Sequence, residues 1–183
     1  MRIIGGKYRG KKLIPPVDNN IRPTTDRMRE TLFNMLEHGS GRGVHGTKIL
    51  DLYAGSGALG IEALSRHAEH VTFVDNNFKS MKLIKDNCAL IGKPDNVTFI
   101  SSDGTKIQKR DHEYGIIFID PPYRKNLILP TLENIIYQNL ISTDGLAVIE
   151  YASDEDIKIP DQFREIKMRK MGEATFSILE FSI

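Results

Sequence analysis

Apolar and polar positions follow two different rhythms along this chain, and the changeover falls near residue 47. Before it, residues 2–4 and 8–14 read as two short strands turned at Gly5-Gly6. Pro15-Pro16 and the polar stretch 17–20 then end that hairpin. Thr24 or Thr25 is placed to cap a helix starting near Asp26, whose charge suits a first turn. Met28, Leu32, Met35 and Leu36 recur at i, i+4, i+7 and i+8 as one apolar stripe, with Arg27 and Arg29 off it. Gly39, Gly41, Gly43 and Gly46 close the helix and link it to the body.

From Lys48 onward, short apolar runs alternate with helical spacing. Residues 49–53, 71–74, 97–100, 116–119 and 146–150 predict strands, and 116–119 is apolar throughout, as burial on both faces requires. Residues 58–66, 78–91 and 127–140 predict helices, the second with Phe78, Met81, Ile84, Cys88 and Ile91 on one side and the third with Pro130 in its first turn. Residues 163–168 and 175–181 alternate around Met171-Gly172-Glu173 and predict a closing hairpin. The pattern implies an α/β fold: a doubly wound, Rossmann-like, seven-stranded and mostly parallel sheet with an antiparallel C-terminal hairpin. A small N-terminal hairpin and helix extension occupies 1–46, and the main domain occupies 47–183. The chain holds no internal repeat and no low-complexity segment.

Composition narrows the class. With 183 residues, 40% apolar and 27% charged, the chain is globular in composition, which excludes a disordered or fibrous protein. Cys88 is the single cysteine, so no disulfide forms within the chain, and a reducing, cytoplasmic setting is expected. No run approaches the roughly 18 apolar residues of a membrane span, and the opening MRIIGGKYRGKK lacks a signal-peptide core. A net charge of +1 argues against a nucleic-acid partner until its distribution is examined. Residues 1–29 carry Arg2, Lys7, Arg9, Lys11, Lys12, Arg22, Arg27 and Arg29 against Asp18 and Asp26, a net +6. The remaining 17 basic and 22 acidic side chains give the body a net −5. A basic arm on an acidic body fits contact with nucleic acid, or a lysine-rich edge that discourages aggregation.

The chemistry gathers where predicted strands end, which is where open α/β sheets bind ligands. The first strand runs into Asp51-Leu52-Tyr53-Ala54-Gly55-Ser56-Gly57-Ala58-Leu59-Gly60; the second ends in Asp75, the third in Asp103, and the fourth in Asp120-Pro121-Pro122-Tyr123. The glycines match G-x-G-x-x-G, and Asp75, 18 residues after Gly57, can accept from a ribose diol. That much fits NAD or any adenosine cofactor. Asp51 would repel a pyrophosphate but suits S-adenosylmethionine (SAM), which carries an ammonium and a sulfonium, and Asp103 can accept from an adenine amine. In Asp-Pro-Pro-Tyr the prolines remove two N–H donors, so the loop presents acceptors suited to an exocyclic NH₂ group. Tyr123 offers a face on which a base can stack.

Other candidates carry less. His38, His45, His67, His70 and His112 lack metal-ligand spacing, so no metal is expected. Cys88 falls on an apolar stripe, no nucleophile motif appears, and Asp154-Glu155-Asp156 reads as a solvated acidic turn.

The glycine turn, Asp75, Asp103 and the Asp-Pro-Pro-Tyr loop together resemble class I SAM-dependent methyltransferases acting on exocyclic amines of bases. Residues 2–10, RIIGGKYRG, and 22–34, RPTTDRMRETLFN, resemble the RsmD family, bacterial enzymes that methylate a guanine N2 amine in 16S ribosomal RNA. The resemblance covers nearly the whole chain. It implies that Asp51, Tyr53, Gly55, Gly57, Asp75, Asn76, Asp103 and Gly104 hold SAM. It further implies that Asp120, Pro121, Pro122 and Tyr123 hold the target base, and that the basic residues of the arm hold phosphates of ribosomal RNA or an assembling small subunit. Whether Asp120 takes the departing proton or only orients the amine stays open. The loop alone also permits a DNA adenine-N6 methyltransferase, and the arm alone permits an RNA-binding protein with a degenerate SAM pocket.

Overall fold

The two rhythms resolve into strands and helices close to the expected bounds. The computed structural model describes residues 1–16, 25–39 and 43–182. Its strands are β1 (Lys48–Leu52), β2 (His70–Asp75), β3 (Val97–Ser101), β4 (Tyr114–Ile119), β5 (Ile141–Ala152), β6 (Phe163–Met171) and β7 (Ala174–Phe181). They form one seven-stranded sheet in the order β3-β2-β1-β4-β5-β7-β6. The β1–β2, β2–β3, β1–β4 and β4–β5 pairings are parallel, and β7 joins antiparallel to both β5 and β6. All six residues of β4 are buried, as its unbroken apolar run demands for a central strand. Because β1 pairs with β2 on one side and β4 on the other, the winding reverses between β1 and β4.

Helices cover both faces. The helices α1 (Asp26–Gly39), α2 (Ala58–Ser65) and α3 (Phe78–Leu90) pack on one side, where Leu32, Ile61 and Ile84 meet Ile49, Phe73, Phe118 and Val148. On the other, α4 (Ile128–Tyr137) sets Leu132 and Ile135 against Leu50, Ile117 and Ile149. Thr25 caps α1, its hydroxyl accepting from the Met28 amide at 3.2 Å, whereas Thr24 and Arg22 lie outside the described residues. The described part of 1–46 shares the core of the body, since Ile3, Leu13, Met28 and Phe33 join the cluster around Ile49 and Phe118.

Four local expectations change. The N-terminal hairpin keeps one antiparallel bridge, Arg2–Lys12, with Ile3 N donating to the Lys11 carbonyl, Gly10 N to that of Ile3 and Leu13 N to that of Met1, while its middle turns to α2. Ile4 and Gly5 amides donate to the Glu62 carboxylate (2.7 and 2.8 Å), Lys7 N to the Ser65 carbonyl (2.7 Å) and Tyr8 N to Ser65 Oγ (2.9 Å). Gly6 is therefore not the tip of a tight turn: at φ 72° it lies so close to α2 that a Cβ would stand 1.8 Å from the Ser65 oxygen. Phe78, expected on the apolar side of α3, is 80% exposed at that helix's first position. β5 starts at Ile141, ahead of the expected apolar run, through the polar Ser142-Thr143-Asp144, where the β4–β5 register shifts. Arg29, off the apolar stripe and expected to face RNA, is instead 1% exposed, its guanidinium donating to the Arg2 carbonyl and Asp26 (both 2.7 Å).

Glu62 is the anchor of the N-terminal segment. Buried at 1% exposure, it also accepts from Arg66 Nε at 2.8 Å, and Arg66 reaches on to Glu37 at 2.6 Å. Removing one partner of a buried ion pair strands the other and two backbone donors. Glu62→Ala should therefore cost about 2–4 kcal/mol in chemical denaturation. Hydrogen exchange at residues 3–13 should rise more than exchange in the sheet.

Candidate active site

Strand alternation decides which acids meet. Side chains on a strand point to opposite faces in turn, and Leu50 and Leu52 belong to the α4 side, so Asp51 between them faces the α2 side. Phe118 and Val148 also face that side, and continuing by two puts Asp120 and Glu150 there; Phe73 does the same for Asp75. In sheet order, Asp75, Asp51, Asp120 and Glu150 thus stand along one face at the carboxyl ends of β2, β1, β4 and β5. This is the end of the sheet beside the reversal point, where ligands are held.

The row is electrostatically loaded. Asp51 is 1% exposed, and burial pushes its carboxyl up to about 7, against the Gly60 amide, which donates to it at 2.9 Å, and with the Asp75 charge adding to the rise. Asp120 is raised well above the carboxylate range, first by burial, then by Glu150 and Asp51. Tyr123 donates its hydroxyl to Glu150 Oε1 at 2.5 Å, which ties the Asp-Pro-Pro-Tyr loop to β5. Glu150 was missed in the sequence, although its signal was present: like Asp75 and Asp120, it is an acid ending an apolar strand run.

The glycine turn is held from both sides. Gly55 N donates to Asp75 Oδ2 (2.9 Å) and Asn77 N to Asp75 Oδ1 (2.8 Å). Gly57, at φ 75°, precedes α2 in a left-handed conformation that favours glycine. Asn87, fully buried, donates to the Ser56 carbonyl (2.9 Å) and the Ile14 carbonyl (3.1 Å) and accepts from Ile14 N (2.8 Å). It links the N-terminal segment directly to the turn, and nothing in its helical position announced that.

Asp103 accepts from Thr105 N and Oγ1 (2.9 and 2.8 Å), bonds that hold its carboxyl below the usual range. The Tyr53 ring lies over Gly104, its hydroxyl bonded to Thr131 Oγ1 at 2.7 Å. Asn76 is exposed between Asp75 and the α3 cap, beside Phe78. Arg124 follows Tyr123 at φ 59°; its amide donates to Glu155 (2.8 Å) and its guanidinium to both oxygens of Asp154 (3.0 Å each). The 154–156 turn is solvated as expected, with Asp154 and Asp156 exposed, and it also pairs with Arg124 at the exit of the loop. Pro121, Pro122 and Tyr123 form one wall of a cavity of about 270 Å³, closed by Leu127–Pro130, Glu150, Tyr151 and residues 155–158.

The basic residues separate. Lys7, Arg9, Lys11, Lys12 and Arg27 are exposed. Lys7 and Lys11 lie over the Tyr8 ring at 5.1 and 5.4 Å, and Lys11 also donates to the Leu90 carbonyl. Arg2 is exposed but paired with Asp26 at 3.1 Å. No group of three or more potential metal ligands occurs among the described residues, nor does any helix long and apolar enough to cross a membrane.

A buried acid raised from 3.8 to about 7 binds a proton in the folded state that the unfolded chain has lost, so its contribution falls as pH rises through that window. Asp51→Asn, which keeps an oxygen for the Gly60 amide, should raise the Tm of the ligand-free protein at pH 8. The gain should be about 2–4 °C for each kcal/mol recovered, and it should vanish near pH 4.

The family described as conserved hypothetical protein 95 matches residues 1–180. Ribosomal RNA small subunit methyltransferase D of Escherichia coli K12 is 38% identical over 152 residues, covering 82% of this chain and 74% of that one. The protein of the same name in Haemophilus influenzae is 30% identical over 190 residues, covering 98% and 93%. The solved structure of yhhF from Escherichia coli superposes with a TM-score of 0.86 at 32% identity, covering 100% of this chain and 98% of that one. The chain belongs to the family of the ribosomal RNA small subunit methyltransferases D.

Proposed function

We propose that this protein is a SAM-dependent methyltransferase that modifies the exocyclic N2 amine of a guanine in small-subunit ribosomal RNA. The observation that carries the reading is the Asp120-Pro121-Pro122-Tyr123 loop, whose two prolines remove backbone donors. It stands at the reversal point of the sheet, with Asp120 in a row of carboxylates whose crowding favours a cationic ligand. Family membership supports ribosomal RNA as the substrate class.

The residues fit SAM on their own chemistry. Asp51, whose carboxyl is pushed up to about 7 by burial and by the Asp75 charge, suits a ligand that carries an ammonium and a sulfonium. Asp75 keeps lone pairs for ribose hydroxyls beyond the two amides it accepts, and Asp103 keeps an oxygen clear of Thr105 for the adenine side. Bound SAM supplies an electrophilic methyl group on sulfur. Asp120 and the Pro121 carbonyl would accept from the two hydrogens of the guanine amine, which would localise its lone pair and orient the nitrogen. Tyr123, fixed through its hydroxyl by Glu150, stacks on the base, for which the adjoining cavity provides room. Methyl transfer to that nitrogen would leave the C–S electron pair on sulfur, and the amine proton would pass to Asp120 or to solvent. Lys7, Arg9, Lys11, Lys12 and Arg27 hold phosphates, and the base leaves its helix to reach the loop. Residues 1–46 serve as the RNA-contacting extension of a methyltransferase domain at 47–183, working in the cytoplasm.

Incubation with methyl-labelled SAM and either deproteinated 16S RNA or small subunits, followed by nucleoside analysis, should yield N2-methylguanine. Its absence from both substrates, or N6-methyladenine from duplex DNA instead, overturns the proposal. Asp120→Ala should lower turnover at least about 100-fold while SAM affinity by calorimetry stays within about twofold. Equal loss of both would move Asp120 into the cofactor site. Replacing Lys7, Arg9, Lys11 and Lys12 together by Ala should weaken RNA binding and flatten its salt dependence.

A further inference from the structure

The edge strand β6 carries charge that the proposed reaction does not use. Four of its nine residues are basic, against one acid. Register with β7 sets their facing. Lys167, Arg169 and Met171 pair with Ile178, Phe176 and Ala174, all members of the core beneath α1, so these three share the α1 face. Met168 and Lys170 pair with Ser177 and Thr175 and point the other way, where Tyr151 Oη donates to Met168 Sδ.

Across from Lys167 and Arg169, α1 presents Thr31, Asn34 and His38, and the two walls enclose an open groove of about 510 Å³. Arg27 stands one turn earlier on α1, its carbonyl accepting from Thr31 Oγ1 at 2.9 Å. Among the described residues no carboxylate pairs with Arg27, Lys167 or Arg169, whereas Arg164, farther down the strand, is tied to Glu180 at 2.5 Å. The acid of β6, Glu165, pairs with Leu179 of the α4-side core and faces away from the groove.

We propose that this groove between α1 and β6 binds the phosphate backbone of the substrate RNA, as an anchor separate from the 7–12 segment. The inference rests on the reading of the substrate as RNA. Lys167 and Arg169, with Arg27 one turn away, pair with no carboxylate among the described residues and stand across from the Asn34 amide and His38, donors that phosphate and sugar oxygens accept from. Position supports the same ligand. β6 leads through Gly172 into β7, whose Ala174 pairs with Ala152, two residues beyond Glu150. The groove therefore runs up to the end of the sheet that carries the acidic row, and one strand of RNA can occupy both. Basic residues on an edge strand also discourage strand pairing between molecules, but that role does not require donors on a facing helix.

The test is the double variant Lys167→Ala/Arg169→Ala, with Lys170→Ala on the opposite face as control. Filter binding to deproteinated 16S RNA across a KCl series should show at least about fivefold weaker affinity for the double variant. The slope of log K against log salt should be shallower by about 1.5–2. SAM affinity and Tm should be unchanged, and the control should match the wild type. Unchanged RNA affinity and slope overturn the groove, including when methylation falls only on assembled subunits, which would make it a protein contact. The two readings fail separately. Wild-type protein that binds RNA with the expected variant effect yet forms no N2-methylguanine loses the proposed reaction and keeps the groove.

Discussion

Four carboxylates on one face of a parallel sheet constrain everything built around them. Asp75, Asp51, Asp120 and Glu150 end adjacent strands, and the side-chain alternation that buries the apolar core on either face sends all four to the same side. Buried like charges oppose one another's ionisation, and the protein answers with directed donors. Gly60 N serves Asp51, Gly55 and Asn77 amides serve Asp75, and the Tyr123 hydroxyl serves Glu150. What these donors leave uncompensated is room for positive charge, and SAM is a small molecule that brings it. On the reading proposed above, the cofactor and the acidic row would be two halves of one electrostatic arrangement.

The same donors fix the loops that must stay still. The glycine turn owes its place to Asp75 below and to Asn87 beside it, and Asn87 binds Ile14 with the same side chain. The N-terminal segment is therefore part of the cofactor loop's support as well as a basic surface. Its other end is held by Glu62, which takes two of its amides and an arginine at once. On the opposite flank, Asp154 and Glu155 hold Arg124 and so the exit of the Asp-Pro-Pro-Tyr loop. A base and a methyl donor react only when both are positioned, and each side of this site is braced by a carboxylate.

Much of this was legible in the chain itself. The alternation of apolar runs and helical stripes fixed the order and type of the elements after residue 47, because period-2 and period-3.6 burial leave different marks. The acids at strand ends, the glycine turn and the Asp-Pro-Pro-Tyr loop were legible for the same reason: each is local, and each occupies a place the fold reserves for ligands. The N-terminal hairpin was legible only in its antiparallel pairing, since Gly5 and Gly6 serve close approach to α2, and a turn asks for the same residue. Phe78 fitted an apolar stripe by spacing and yet stands in solvent, because spacing cannot say where a helix's first turn projects past its neighbours.

Net charge marks the division. The sequence by itself determined that a near-zero total conceals a basic arm and an acidic body, and that the acids fall where strands end. Only the tertiary structure decided which charges act. It buried Arg29 against Asp26 and Arg2, paired the solvated 154–156 turn with Arg124, brought Glu150 to Tyr123, and set Lys167 and Arg169 across from α1. The reason is physical: a charge's work depends on its burial and its partner, and the Tyr123–Glu150, Arg124–Asp154 and Arg29–Arg2 contacts each join residues 27 to 30 positions apart in sequence.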